Sequence, residues 1–198
     1  MILIKAQLAI AAVLVLGMSG VSRADPRADV QRALERVVAA GGFHAEVNGA
    51  VFGPGTPATS GEIDVLFPDR IHARTEMIDF ITTREGAWIN LFGIWTPVDR
   101  EQIPVTAFSP AAMRKAIASI GDVRAVGTVM TNRCEQQIYA FRAAGQLPGA
   151  TADGDARIWI CASDGRPARL EATDATNGGR INLVFDWSRA PRVDAPQD

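Results

Sequence analysis

Histidine, cysteine, tyrosine and lysine are all scarce in this 198-residue chain, and each shortage closes off some chemistry. With only His44 and His72, a histidine-rich metal site is impossible; at most Glu46 or Glu76 could join the pair. Both histidines fall on the polar parity of strand-like segments, where an exposed or hydrogen-bonded imidazole is the ordinary state, so no metal site is expected. The two cysteines, Cys134 and Cys161, form no CxxC motif and have no neighbouring base in sequence, which argues against a redox or nucleophilic thiol. An excess of either charge is also missing. Twenty Lys+Arg against 22 Asp+Glu give a net charge of −2, too little for a broad basic surface that would neutralise nucleic-acid phosphates. Beyond residue 24 no apolar run is long enough to cross a bilayer. What is present is a foldable composition: 47% hydrophobic residues, eight Phe and four Trp, in a length that suits one ordinary domain.

The first 24 residues read as a secretory signal peptide. Lys5 supplies the positive start, Leu8 to Met18 the apolar stretch, and Ser22-Arg23-Ala24 the small residues at −3 and −1 for cleavage after Ala24. No cysteine stands at the cleavage site, so a lipoprotein signal is not expected. Loss of Lys5 and Arg23 leaves 18 basic against 22 acidic groups, a net −4 for residues 25–198. An exported chain reaches an oxidising compartment, the periplasm, where Cys134 and Cys161 are expected to form a disulfide.

The remaining chain alternates between two periodicities. Asp25-Pro26 can cap and start a helix whose stripe is Val30, Leu34, Val37 and Val38, stopped by Gly41-Gly42. Ser109-Pro110 starts a second, with Met113, Ala116, Ile117 and Ile120 on one face. Elsewhere apolar and polar residues alternate in about ten short segments, at Phe43–Val51, around Ile63–Phe67, and at 70–76, 78–83, 87–91, 94–98, 123–130, 134–142, 157–162, 168–173 and 180–187. Residues 145–154, GQLPGATADG, read as a flexible loop, and the Pro-containing stretch from about 190 as a loose tail. So many antiparallel strands with one polar face need cover on the other, which two or three helices can supply only if the sheet curves strongly around them. The expected class is therefore mainly β with α: an incomplete barrel of antiparallel strands wrapped around the helices, in one domain spanning 25–198.

The element order and several short motifs resemble the LolA-like superfamily. The helix is followed by Phe43-His44-Ala45-Glu46-Val47, then by a glycine-led strand entering a proline turn, Ser60-Gly61-Glu62-Ile63-Asp64-Val65-Leu66-Phe67-Pro68-Asp69-Arg70-Ile71. Glu85-Gly86-Ala87-Trp88-Ile89 supplies the short turn before a Trp strand. This superfamily includes periplasmic lipoprotein carriers, LppX-type lipid-binding proteins and RseB-type stress sensors. The resemblance implies an apolar hollow that shelters acyl chains. In the carriers an arginine immediately before the proline helps hold the closed state; here that position is Phe67, with Arg70 close by.

From strand and helix parity the candidate lining residues are Val47, Ile63, Val65, Phe67, Ile71 and Phe80. Trp88, Trp95, Met113, Ile117 and Ile120 complete the set, with the helix Ser109–Ile120 as candidate lid. Each could equally be ordinary core. No G-x-S-x-G or S-x-x-K motif occurs in a plausible place, and Glu62 with Asp64 reads as part of a solvated strand face. Gly53-Pro54-Gly55-Thr56-Pro57-Ala58 matches G-x-G-x-x-A in form, but its two prolines favour a hairpin loop over a dinucleotide cradle. No enzyme activity and no cofactor are expected. The sequence favours a periplasmic binding or carrier protein for lipids, lipoprotein acyl chains or similar amphiphiles, delivered with the help of an inner- or outer-membrane protein. The alternative is an envelope protein-interaction or stress-sensing module of the same fold without a lipid ligand.

Overall fold

The computed structural model describes residues 25–50, 59–76, 79–102, 109–147, 150–173 and 180–196. The first helix begins where capping dictates. Asp25 is extended and its carboxylate accepts the Arg27 N–H, so α1 runs Pro26–Ala39 with proline in the first turn, where a missing N–H goes unnoticed. Gly41, at φ 76°, takes the left-handed turn that a side chain resists. Six strands follow: β1 (Gly42–Ala50), β2 (Thr59–Leu66), β3 (Arg70–Thr75), β4 (Asp79–Thr82), β5 (Ala87–Leu91) and β6 (Ile94–Val98). A 3-10 turn at Arg100–Gln102 precedes α2 (Pro110–Ala118), where the Ser109 hydroxyl accepts the Ala112 N–H at 3.2 Å. Then come β7 (Gly121–Met130), β8 (Glu135–Leu147), β9 (Ala150–Cys161), β10 (Pro167–Thr173) and β11 (Arg180–Phe185).

All 11 strands join one sheet in the order β6-β5-β4-β3-β2-β1-β11-β10-β9-β8-β7. Every neighbouring pair is antiparallel, and among the described residues β6 and β7 are the edges. The sheet is thus two meanders, β1–β6 and β7–β11, stitched by the β1–β11 ladder at Ala45↔Phe185 and Val47↔Leu183. Helix α1 packs on α2 and on β1, β7, β9 and β10, while α2 lies mainly on β8. The expected mainly-β sheet with helices on one face is the observed architecture. Gly61 explains the glycine-led strand of the motif: a Cβ there would stand 2.0 Å from the Arg74 carbonyl oxygen of β3.

Three expectations need correction. Residues 145–147 and 150–154 are not a loop: the β8–β9 ladder continues through Gly145↔Ala152 and Gln146↔Thr151 to Leu147↔Ala150. Composition misled because Gly, Ala and Thr also satisfy a registered hairpin, once ladder bonds from the strands on either side extend into it. Nor is the stretch after residue 190 loose where it is described, since Val193 is 2% exposed and is the apolar anchor of that segment. Asp64 is not on a solvated face; it is 3% exposed, for reasons given below. The leader 1–24 and the G-x-G-x-x-A match at 53–58 lie outside the described residues.

Candidate functional site

Pleat parity sorts the sheet into two chemically distinct faces. On the helix side of β1–β5, Phe43, Ala45, Val47, Ile63, Val65, Ile71, Ala73, Phe80 and Ala87 form one buried apolar cluster with Val37 of α1 and Phe185 of β11. Phe67, Ile89, Val98, Met113, Leu183 and Trp187 pack against it while staying partly exposed. A second cluster on the same face joins Val30 and Ala33 of α1 to Tyr139, Phe141, Ala156, Ile158, Ile160 and Ala172, with Ile120 at the end of α2. Leu170 and Ile181 touch both clusters, so the apolar face is continuous.

Of the residues read from sequence, Val47, Ile63, Val65, Ile71 and Phe80 come together in the first cluster, with Phe67 and Met113 at its margin. Ile120 belongs to the second cluster, and Ile117 is buried on α2. Trp88 and Trp95 are elsewhere. Trp88 pairs with Ile81, which pairs with His72, which pairs with Asp64, so it stands on the outer face. Trp95 pairs with Asn90 on that same face and meets His72 edge-on at 6.2 Å. Reading those strands as generally inward, without tracking parity from the buried strands across the ladder, assigned both tryptophans to the wrong side. Ile89, Val98, Ile181 and Leu183 were missed, although the alternation Ile181-Leu183-Phe185 marks the inward positions of β11 plainly.

The outer face of β1–β4 is polar yet partly closed. His44 Nδ1 lies 2.8 Å from Asp64 Oδ1, and both side chains are buried. Arg74 reaches Glu62 at 2.9 Å and Asp64 at 3.6 Å, and Arg189, beyond β11, reaches Glu62 at 3.2 Å. His72 Nε2 lies 3.1 Å from Asp79 Oδ1, whose other oxygen accepts from Asn90 at 3.2 Å. His44, Asp64, Glu62, His72 and Asp79 therefore each have a local partner, as burial of polar groups requires, while Glu46, opposite Glu62 on the same face, is exposed. Asp186, at the turn leading into that segment, is held below the usual carboxylate range by the Ser188 hydroxyl and then the Ser188 N–H. Among the described residues no group of three or more His, Cys, Asp or Glu is placed to hold a metal ion.

Cys134, just before β8, and Cys161, ending β9, form a disulfide with Cα atoms 5.8 Å apart. The bridge ties the open end of the β8–β9 hairpin and fits an extracytoplasmic setting.

Comparison with solved structures gives these features a context. The fold superposes on lipoprotein LppX from Mycobacterium tuberculosis with a TM-score of 0.57 at 12% identity, over 85% of this chain and 98% of that one. LprF from Mycobacterium bovis gives the same TM-score of 0.57 at 11% identity, over 87% of this chain and 97% of LprF. The chain shares the fold of these two proteins. A LolA superfamily protein from Nitrosomonas europaea is also matched, at 9% identity over 86% of this chain and 94% of that one, but its TM-score of 0.33 carries no weight. No family model matches the sequence, and no curated protein matches it. In this sheet Phe67 meets Phe43 edge-on at 6.4 Å. Phe43 in turn meets Phe185 at 5.3 Å.

Proposed function

We propose that this protein binds acyl chains of lipids, lipoproteins or similar amphiphiles in the periplasm, on the apolar face of β1–β5 and β11. One observation carries the reading: the apolar face extends beyond the strands that the helices mainly cover, and it ends in a partly exposed margin of Phe67, Ile89, Val98, Met113 and Leu183. A margin of this kind gives an acyl chain somewhere to enter, and Met113 on α2 is an adaptable side chain at the edge of a helix with a defined N-terminal boundary. The likeness to the lipoprotein LppX supports an envelope setting, as does the disulfide. The signal peptide read at 1–24 would deliver the chain there by cleavage after Ala24.

A second reading has its own support. Edge strand β7 presents Val126, Val129 and Met130 exposed, with no charged residue between Ala125 and Met130. An unpaired edge of that composition can accept a strand from another protein. On this reading the chain is an envelope interaction or sensing module.

A dansyl-labelled fatty acid titrated into the purified protein tests the first reading. Saturable binding with a blue-shifted, brightened emission is expected. Met113→Glu places a carboxylate at the apolar margin, and we expect affinity to fall at least tenfold, which takes only about 1.4 kcal/mol. Met113 is partly exposed, so the variant should keep its circular dichroism spectrum and melt. No binding by wild type, or equal binding by the folded variant, would leave the interaction reading in its place.

A further inference from the structure

The outer face of the β7–β11 meander carries a groove of about 780 Å³ that none of the candidate acyl-lining residues enters. We propose that it is a binding site for a phosphate-bearing ligand, held by Arg124 and Arg157 with Arg142 beside them.

The ladder shows why these arginines share one place. Arg124 of β7 pairs with Ala140 of β8, and Ala140 pairs with Arg157 of β9. The two arginines thus flank one alanine, at a Cα spacing of about 10 Å set by two strand gaps. Like charges directly opposite one another on a sheet repel. Here the alanine between them leaves a gap with a small floor, wide enough for an anion to be shared. Arg142 lies two residues along β8 from Ala140 and lines the same groove, as does Arg180 at the start of β11. The groove also holds Asp122, Asp155 and Glu171, so its carboxylates are fewer than its arginines. Glu171 is already paired with Arg169, a residue that is not part of the lining. Arg124, Arg157 and Arg180 have no ion-pair partner among the described residues. Asn48, Asn182 and Thr173 add neutral hydrogen-bonding groups along the wall.

A guanidinium offers two parallel N–H donors that match the oxygens of a phosphate. Four arginines against three carboxylates give the lining an excess of one positive charge, in a chain whose net charge is −2; Glu171 stands opposite Arg157 and Asp155 opposite Arg142, which leaves Arg124 without a carboxylate directly opposite. The groove arginines project from the face opposite the apolar clusters, although Phe141, Ala156, Ala172 and Ile181 of those clusters also border the groove.

Calorimetric titration of the purified protein with pyrophosphate tests the site, with vesicles of phosphatidylcholine, alone or with phosphatidylglycerol, as a second arm. Saturable pyrophosphate binding that weakens as salt is raised is expected. Arg124→Ala combined with Arg157→Ala should weaken it at least tenfold, whereas Arg84→Ala, outside the groove, should leave it unchanged. Both groove arginines are exposed, so the double variant should melt with wild type. If it does not fold, amide chemical shifts of wild type supply the answer, since pyrophosphate should perturb Ala140, Arg157 and Glu171 before any other residues. Binding of the phosphatidylglycerol vesicles, lost in the double variant, would identify a lipid headgroup as the source. Pyrophosphate binding without vesicle binding would identify a soluble phosphate compound. Absence of saturable pyrophosphate binding, shifts confined to other parts of the molecule, or an affinity unaltered in the folded double variant would overturn the proposal.

Discussion

The two meanders of the sheet have the same topology and opposite packing solutions. In β7–β11 the inward positions facing α1 include Ala156 and Ala172, and α1 itself contributes Ala33. Those alanines let α1 lie close to the sheet beside the larger Tyr139, Phe141 and Ile158, and α2 covers β8. In β1–β6 the inward positions are mostly large, Phe43, Val65, Ile71 and Phe80 among them, and they pack chiefly on one another. That half closes by sheet curvature and bulk, and it keeps a partly exposed apolar margin. The difference lies in where the helices sit and not in side-chain size: alanines (Ala45, Ala73 and Ala87 against Ala156 and Ala172) stand among large residues on both inner faces, while α2 and most of α1 lie over β7–β11. The outer faces invert the pattern. Over β1–β4 the polar groups are paired and partly buried, whereas over β7–β11 arginines line an open groove.

Truncating one fully buried isoleucine in each half should break this comparison most sharply. Ile71 and Ile158 are both buried to within 1% exposure. Each change to alanine should destabilise by about 4 kcal/mol, through lost burial plus the cavity that remains. Chemical denaturation would show two similar losses, but the secondary effects should separate. Ile158→Ala should raise amide exchange in α1, which rests on that residue's cluster. Ile71→Ala, whose cluster includes α1 only through Val37, should raise exchange in α1 less and alter the affinity for the dansyl fatty acid. Identical exchange patterns in the two variants would show that the halves are one cooperative core.

The disulfide belongs wholly to the helix-covered half, and its removal should cost slightly less. The closed loop spans a sequence separation of 27, which by chain entropy corresponds to about 3.5 kcal/mol. Cys134→Ser with Cys161→Ser should lower the unfolding free energy by that amount, read as a lower denaturation midpoint. Fraying should begin at the open end of the β8–β9 hairpin, where Gln136 pairs with Cys161. Non-reducing peptide mapping of the wild type should recover the linked pair.

Much of the fold could be read from sequence because the local signals were unambiguous. Asp25 and Ser109 cap the helices they were expected to cap, and the strands at 87–91 and 94–98 have the boundaries given by their alternation. Those signals are local, carried by one residue's side chain or by parity along one segment. Facing across the sheet is not local. Trp88 and Trp95 could be assigned only through the ladder that carries the buried face from β1 outwards, and that depends on register. The arginine groove was invisible for the same reason: Arg124, Arg142 and Arg157 are distant in sequence and meet only through pairing on β8. His44 and Asp64 looked exposed because parity gives a face but not what covers it.

The smallest effect concerns the bond that joins α1 to its half of the sheet. Tyr139 on β8 donates its hydroxyl to Asp29 of α1 at 3.0 Å, and Asp29 is also paired with Arg32. Burial, reinforced by the Asp29 carboxylate, pushes the phenol up to about 12. Its folded pKa therefore lies above the value of about 10 for an unfolded tyrosine. With that sign the phenol's contribution to stability is complete below pH 10, declines above it, and is gone once pH has risen through 12. Tyr139 is the only tyrosine in the chain, so the phenolate absorbance reports it alone. The titration midpoint should stand near 12 in the native protein, and near 10 in denaturant. Tyr139→Phe should lose about 1 kcal/mol at neutral pH, since Asp29 keeps its arginine and no charge is left buried alone. The variant should also lack the wild type's extra decline in stability between pH 10 and 12. A native midpoint near 10 would mean that the phenol is open to water, and that α1 is held to the sheet by Val30 and Ala33 without this bond.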